Sequence, residues 1–154
     1  MPVLGKNAGG VVNQKLSNAI AVNDTSTAAP LFVACRTSLV IKEAGFTIVQ
    51  GTAGTNNNTT TTATFTVKIY AQKPGGSKSV PLEVASIVVP AARTVGSEFT
   101  TRDATLSFSS GYENLADRVF PKGTKMWAMP TNAGTSGDQV VAYIQTEEFG
   151  APPA

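Results

Sequence analysis

The chain is predicted to be all-β, an antiparallel β-sandwich of jelly-roll or Ig-like type. Short segments alternate apolar and polar side chains with a period of two. Gly, Pro and Asn clusters separate them at intervals typical of sandwiches and barrels. Charged residues make up 14% of the chain, whereas globular chains usually carry about 25%, and Val, Ile, Thr and Phe dominate the alternating segments. That composition excludes a coiled coil, a helical bundle and a charge-rich disordered chain. At 154 residues the chain fits one domain and buries enough surface to need no disulfide or metal.

Residues 1–30 read as an extended N-terminal arm, without aromatic residues and rich in Ala, Asn, Val and Gly. Within the arm, Lys15 to Ile20 is compatible with one helical turn, which would set Leu16 and Ile20 one turn apart. The sandwich domain spans residues 31–149. Its first strand is Leu31 to Thr37, with Cys35 inside it and Leu39 to Lys42 as an extension; Phe46 to Gln50 follows. Gly51 to Thr62 is a loop of Gly, Asn and Thr, too polar to pack. Thr64 to Gln72 is the clearest strand: Phe65, Val67, Ile69 and Ala71 share one face, and Thr66, Lys68 and Tyr70 the other.

Lys73-Pro74-Gly75-Gly76 is a turn. Leu82 to Val89 is a strand, and Ile87-Val88-Val89, apolar on both faces, predicts a place in mid-sheet. Ala104 to Ser109 is another strand. Gly111 to Val119 reads as a short helix stopped by Pro121. Lys125 to Met129 and Gln139 to Thr146 are the last strands, joined as a hairpin by Asn132 to Asp138. Residues 150–154 form a short C-terminal tail.

The chain contains no His. That removes the usual general base near neutral pH, the Ser-His and Cys-His nucleophilic sites, and His-ligated metal. Cys35 is the single Cys, so it has no disulfide partner in the chain and no base to activate it, and it reads as a small buried hydrophobe. Glu113 and Asp117, four residues apart, are better explained as a solvated surface pair than as a glycosidase pair. Glu147-Glu148 reads as a solvated strand end. No cofactor fingerprint is present, and no cofactor, metal or small-molecule substrate is expected.

The net charge of +2 is too small and too evenly spread to predict nucleic-acid binding. No run approaches the ~18 apolar residues of a membrane span, and the N-terminus lacks the pattern of a secretory signal. Trp127 shares a strand face with Met129, and Met126 shares the other with Ala128. Trp127 is expected in the core, with a subunit or sugar-stacking contact as the alternative.

One segment has a recognisable plan: Val119-Phe120-Pro121-Lys122-Gly123-Thr124-Lys125-Met126-Trp127, a Gly/Thr-rich loop, then Gln139 to Gln145. It resembles the closing hairpin of small β-sandwich virion proteins of tailed bacteriophages. The Phe65 to Gln72 strand with its Lys73-Pro74-Gly75-Gly76 turn suits the same plan. Families of this look include capsid decoration (cement) proteins and minor head or tail proteins. The resemblance implies a non-enzymatic virion protein without catalytic residues. It implies partners in the major capsid protein and in copies of the chain itself, as a homotrimer. The protein would be made in the host cytoplasm and placed on the capsid surface, its arm tying subunits together. The contact residues expected are Leu4, Val11, Val12, Leu16, Ile20, Trp127, Met129 and Phe149. The alternative is a carbohydrate-binding or adhesion module of a tail or fibre.

Overall fold

The computed structural model describes residues 11–25, 27–52, 60–61, 64–75, 81–102, 108–132 and 137–149. They form nine strands: β1 (Val11–Ala21), β2 (Ala29–Phe32), β3 (Ser38–Gln50), β4 (Phe65–Gln72), β5 (Leu82–Val89), β6 (Glu98–Thr100), β7 (Val119–Phe120), β8 (Lys125–Asn132) and β9 (Gln139–Phe149). One sheet has the order β1-β9-β3-β6, with the two-residue β7 also on β3; the other is β2-β8-β4-β5. Every pairing is antiparallel.

The two sheets pack as a β-sandwich around one core. The order decides between the two sandwich types that the sequence leaves open. β1 pairs with β9, β2 with β8, β3 with β6 and β4 with β5, a long hairpin rolled across two sheets. That nesting is the jelly roll, not the Ig arrangement.

The period-two pattern explains the core. In β4 the burial alternates strictly, with Phe65, Val67, Ile69 and Ala71 inside. Opposite them, β3 contributes Leu39, Ile41, Phe46 and Ile48, and β9 contributes Val140, Ala142 and Ile144. Phe46 is the aromatic centre, with its ring centroid 6.2 Å from that of Phe65 and 5.9 Å from that of Phe99. Gly45 sits where β6 crosses β3. A Cβ there would come within 2.5 Å of the Phe99 carbonyl oxygen, so a side chain would push β6 off its partner.

Several sequence expectations change. Val11–Ala21, assigned to the arm, is a strand of the sandwich hydrogen-bonded along β9. The possible helical turn at Lys15 to Ile20 is instead a register shift between Leu16 and Ala19. There the Ser17 hydroxyl accepts the Ala142 N–H (2.9 Å), filling the place of a ladder carbonyl. Leu39 to Lys42 and Phe46 to Gln50 fuse into the single strand β3. Leu31 to Thr37 shortens to β2, so Cys35 lies beyond the strand.

β5 is an edge strand, not a central one, and Val88 is exposed. The helix expected over Gly111 to Val119 reduces to one 3-10 turn, Leu115–Arg118. Of the strand expected at Ala104 to Ser109, residues 104–107 lie outside the described residues, and Phe108 bridges to Ala85. β8 and β9 do not form a hairpin; they belong to opposite sheets, and residues 133–136 between them lie outside the described residues.

Replacing Phe46 with Ala is expected to lower the unfolding free energy by about 3–5 kcal/mol, since the core closes on that ring from two sides. Val88→Thr, on the exposed face of β5, is expected to change it by less than about 0.5 kcal/mol. Urea titrations with equal slopes check both.

Candidate functional site

The outer face of the β2 sheet carries a row of apolar and aromatic side chains. Its register aligns Pro30, Trp127, Tyr70 and Glu83 in one row across four strands. A second row runs Met129, Lys68, Ser86. Trp127 and Tyr70 stack at 5.8 Å with an interplanar angle of 23°. Lys68 donates to Glu83 at 2.8 Å, closing the polar side of the patch. The sequence expectation for Trp127 is therefore corrected. Met126 and Ala128 are the core face of β8, while Trp127 and Met129 are half-buried on the outer face. Strand alternation allowed either choice, and the opposite sheet selected the smaller pair.

Where β2 ends, an apolar groove of about 240 Å³ opens, lined by Pro30, Phe32, Val33, Lys125, Met126 and Trp127. Val33 is 78% exposed, high for a β-branched apolar side chain. The Lys15 ammonium lies 5.1 Å over the Phe32 ring and holds it from the β1 side.

Of the other expected contact residues, Leu16 is 62% exposed on the outer face of the β1 sheet, opposite Tyr143. Phe149 is partly exposed at the end of β9. Val11 and Val12 are the backbone partners of Glu148 and Glu147. Ile20 is a core residue, buried because the register shift in β1 returns it to the inner face. Leu4 lies outside the described residues. The structure thus brings Trp127 and Met129 together and leaves Leu16 and Phe149 on other surfaces. Pro30, Phe32, Val33 and Tyr70 complete the patch. Tyr70 was legible from the strand alternation, whereas Val33 gave no sequence signal, since it falls inside a segment that reads as strand.

The polar groups are arranged as supports. Tyr143 is buried on the outer face of the β1 sheet, its hydroxyl 2.6 Å from a Glu98 oxygen and 2.9 Å from a Glu43 oxygen. Arg102 clasps both carboxylates, at 2.5 Å to Glu43 and 2.7 Å to Glu98. Burial pushes the Tyr143 phenol well above its ordinary range, and the two carboxylate acceptors push it further. Arg118, buried beside the 3-10 turn, donates to the carbonyls of Ile41 (2.8 Å), Tyr112 (2.8 Å) and Glu113 (2.9 Å), and its guanidinium lies 3.8 Å over the Phe108 ring. These contacts pin the 98–102 and 108–118 segments to β3. Glu113 and Asp117 are both exposed, and Glu113 accepts the Gly111 N–H at 2.9 Å. Among the described residues no group of three or more His, Cys, Asp or Glu is placed to hold a metal ion.

Cys35 is 2% exposed, and burial, with Glu148 adding to it, pushes its thiol up to about 11. The thiolate form that reacts with electrophiles is scarce at neutral pH.

Neither a protein-family model nor a curated protein matches this chain. Among solved structures, it is similar to a chain in the structure of infectious bursal disease virus, Gx strain. That match has 13% identity and a TM-score of 0.37, and covers 92% of this chain and 34% of that one. A chain of the Gt strain gives 13% identity and a TM-score of 0.24, covering 93% and 43% respectively. This chain therefore spans about a third of the length of the first of these.

Raising the pH is expected to cost stability through Cys35. The unfolded thiol ionises first, from about pH 9, while the folded thiol holds its proton to about pH 11. The unfolded state binds fewer protons in that window, so unfolding free energy falls as pH rises through it. Urea midpoints between pH 8 and 11 should show a shallower decline for Cys35→Ala than for the unaltered chain.

Proposed function

We propose that the chain is a non-enzymatic structural subunit of a virus particle, working through contacts on the outer face of the β2 sheet. The observation that carries this reading is the solvent-facing apolar row Pro30–Trp127–Tyr70 with the groove beside it. Exposed apolar patches rimmed by polar groups mark interaction surfaces, and Trp and Tyr are the side chains most enriched as anchors at such contacts. The jelly roll suits the role, since viral capsid domains use it, although lectins do as well.

The finer reading is a decoration protein of a tailed bacteriophage head. It rests on the likeness of the Phe120-Pro121-Lys122-Gly123-Thr124 segment and its flanking strands to those virion proteins. In that role the subunit joins capsid proteins and its own copies, as a trimer, on the capsid surface. Many modest contacts then add up to a stable shell. Because β1 belongs to the sheet, removing residues 1–29 is expected to destabilise the sandwich itself.

Gradient sedimentation of a source lysate with mass spectrometry tests the proposal. The chain is expected with particles of many megadaltons in hundreds of copies, and Trp127→Ser is expected to leave that fraction while keeping its circular dichroism spectrum. Recovery only among small soluble proteins would refute the virion reading, and a few copies per particle would move it to a tail or portal part.

The stacked Tyr70–Trp127 pair favours one second reading, a carbohydrate-binding module. Trp127 is the single Trp, so its fluorescence reports on this face alone. Glycan titration is expected to quench it if sugars stack there, and a flat glycan screen removes this reading.

A further inference from the structure

One end of the sandwich gathers cations beside the groove. The Cys35 N–H donates to the Thr124 carbonyl and the Gly123 N–H to the Cys35 carbonyl, both at 2.8 Å, so residues 33–36 lie along residues 122–125. The run is antiparallel, so Arg36 and Lys122 lie across from each other just beyond the Cys35–Gly123 pair. Pro74 packs against Gly123, bringing the end of β4 alongside, and Lys73 extends over the Phe120 ring at 5.8 Å. Lys125 begins β8 opposite Gln72 and forms part of the groove wall. Arg36, Lys73, Lys122 and Lys125 are all exposed, and among the described residues none of them is in a salt bridge.

The carboxylates at this end are already engaged. Glu147 pairs with Lys42 at 3.4 Å, and Glu148 accepts from the Asn13 amide at 2.5 Å. Glu148 keeps its charge in a hydrogen bond to a neutral amide, and the four cations outnumber it, next to an apolar slot large enough for one bulky side chain.

We infer that this end binds an extended acidic segment of another protein. The segment seats one aromatic or branched aliphatic side chain between Phe32, Val33 and Trp127. Its flanking carboxylates meet Arg36, Lys122 and Lys125. Charge complementarity selects an acidic partner and sets its approach, and the apolar slot selects a polypeptide. A nucleic acid fits less well, because Tyr70 and Trp127 stack on each other instead of standing apart to receive bases. The inference deepens the reading above, since the groove adjoins the Trp127 row.

Fluorescence anisotropy on the full chain tests it with three labelled probes: an Asp/Glu decapeptide with a central Phe, the same peptide with Ser in place of Phe, and a ten-residue oligothymidylate. The Phe peptide is expected to bind at least about tenfold more tightly than the other two, the gain of one buried anchor. Raising NaCl from about 50 to about 300 mM is expected to weaken it several-fold, as screening shortens the reach of exposed charges. Val33→Asp, and the double variant Arg36→Glu with Lys122→Glu, are each expected to weaken it by about tenfold. All three positions are exposed, and unchanged circular dichroism and melting temperature verify the fold.

Equal binding of the Ser peptide or the oligonucleotide, no effect of Val33→Asp, or no binding of the Phe peptide overturns the inference. The measurement uses no particle, so the two readings separate. A chain that binds the peptide yet stays out of the particle fraction overturns the virion reading alone. One that sediments with particles but ignores the peptide overturns this inference alone.

Discussion

Strand β9 is hydrogen-bonded along both of its edges, to β1 on one side and to β3 on the other, and the rest of the sandwich depends on that double pairing. It is the last strand among the described residues, and it joins β1 to β3, the longest of the described strands. A strand in that position has no solvent-facing ladder, so its backbone groups need both neighbours. The Asn13–Glu148 and Ser17–Ala142 hydrogen bonds span nearly the whole sequence. Such non-local pairing forms late and slowly, because loop closure precedes the contacts that reward it. Once β9 is in place, the core faces of β3 and β9 present one apolar surface to β4 and β8.

The surface follows from how few charges the chain carries. Several charges of the first sheet hold loops. Arg118 holds the 108–118 segment on β3, and Arg102 with Glu43, Glu98 and Tyr143 holds the segment after β6. Charge-assisted and bidentate contacts of this kind fix geometry more than they add stability. Among the described residues the second sheet has one salt bridge on its outer face, Lys68–Glu83, and leaves Pro30, Trp127, Tyr70 and Met129 facing outward. One sheet is therefore tied to its own loops, and the other presents an apolar outer face.

Much of the fold was legible before the structure. Strict alternation in Phe65 to Gln72 named both its core face and its outer face, and Tyr70 with it. The absence of His and the isolation of Cys35 were legible too, and Cys35 is buried. Legibility failed where a choice depends on what lies opposite. Alternation put Trp127 and Met126 on different faces of β8 without saying which faces inward. The apolar run Ile87-Val88-Val89 looked central but lies at an edge, where Phe108 and Ser109 bond to β5 and cover part of it. Val11–Ala21 looked like an arm because a bulge at Ser17 breaks its period.

The sequence by itself determined an antiparallel sandwich and the alternation of strands such as Phe65 to Gln72, because side-chain alternation is a local property. Only the tertiary structure decided the jelly-roll order, the separation of β8 and β9 into opposite sheets, the exposure of Trp127 and the gathering of Arg36, Lys73, Lys122 and Lys125 at one end. Those depend on which distant strand completes each backbone ladder and covers each apolar face, and no local pattern encodes the partner.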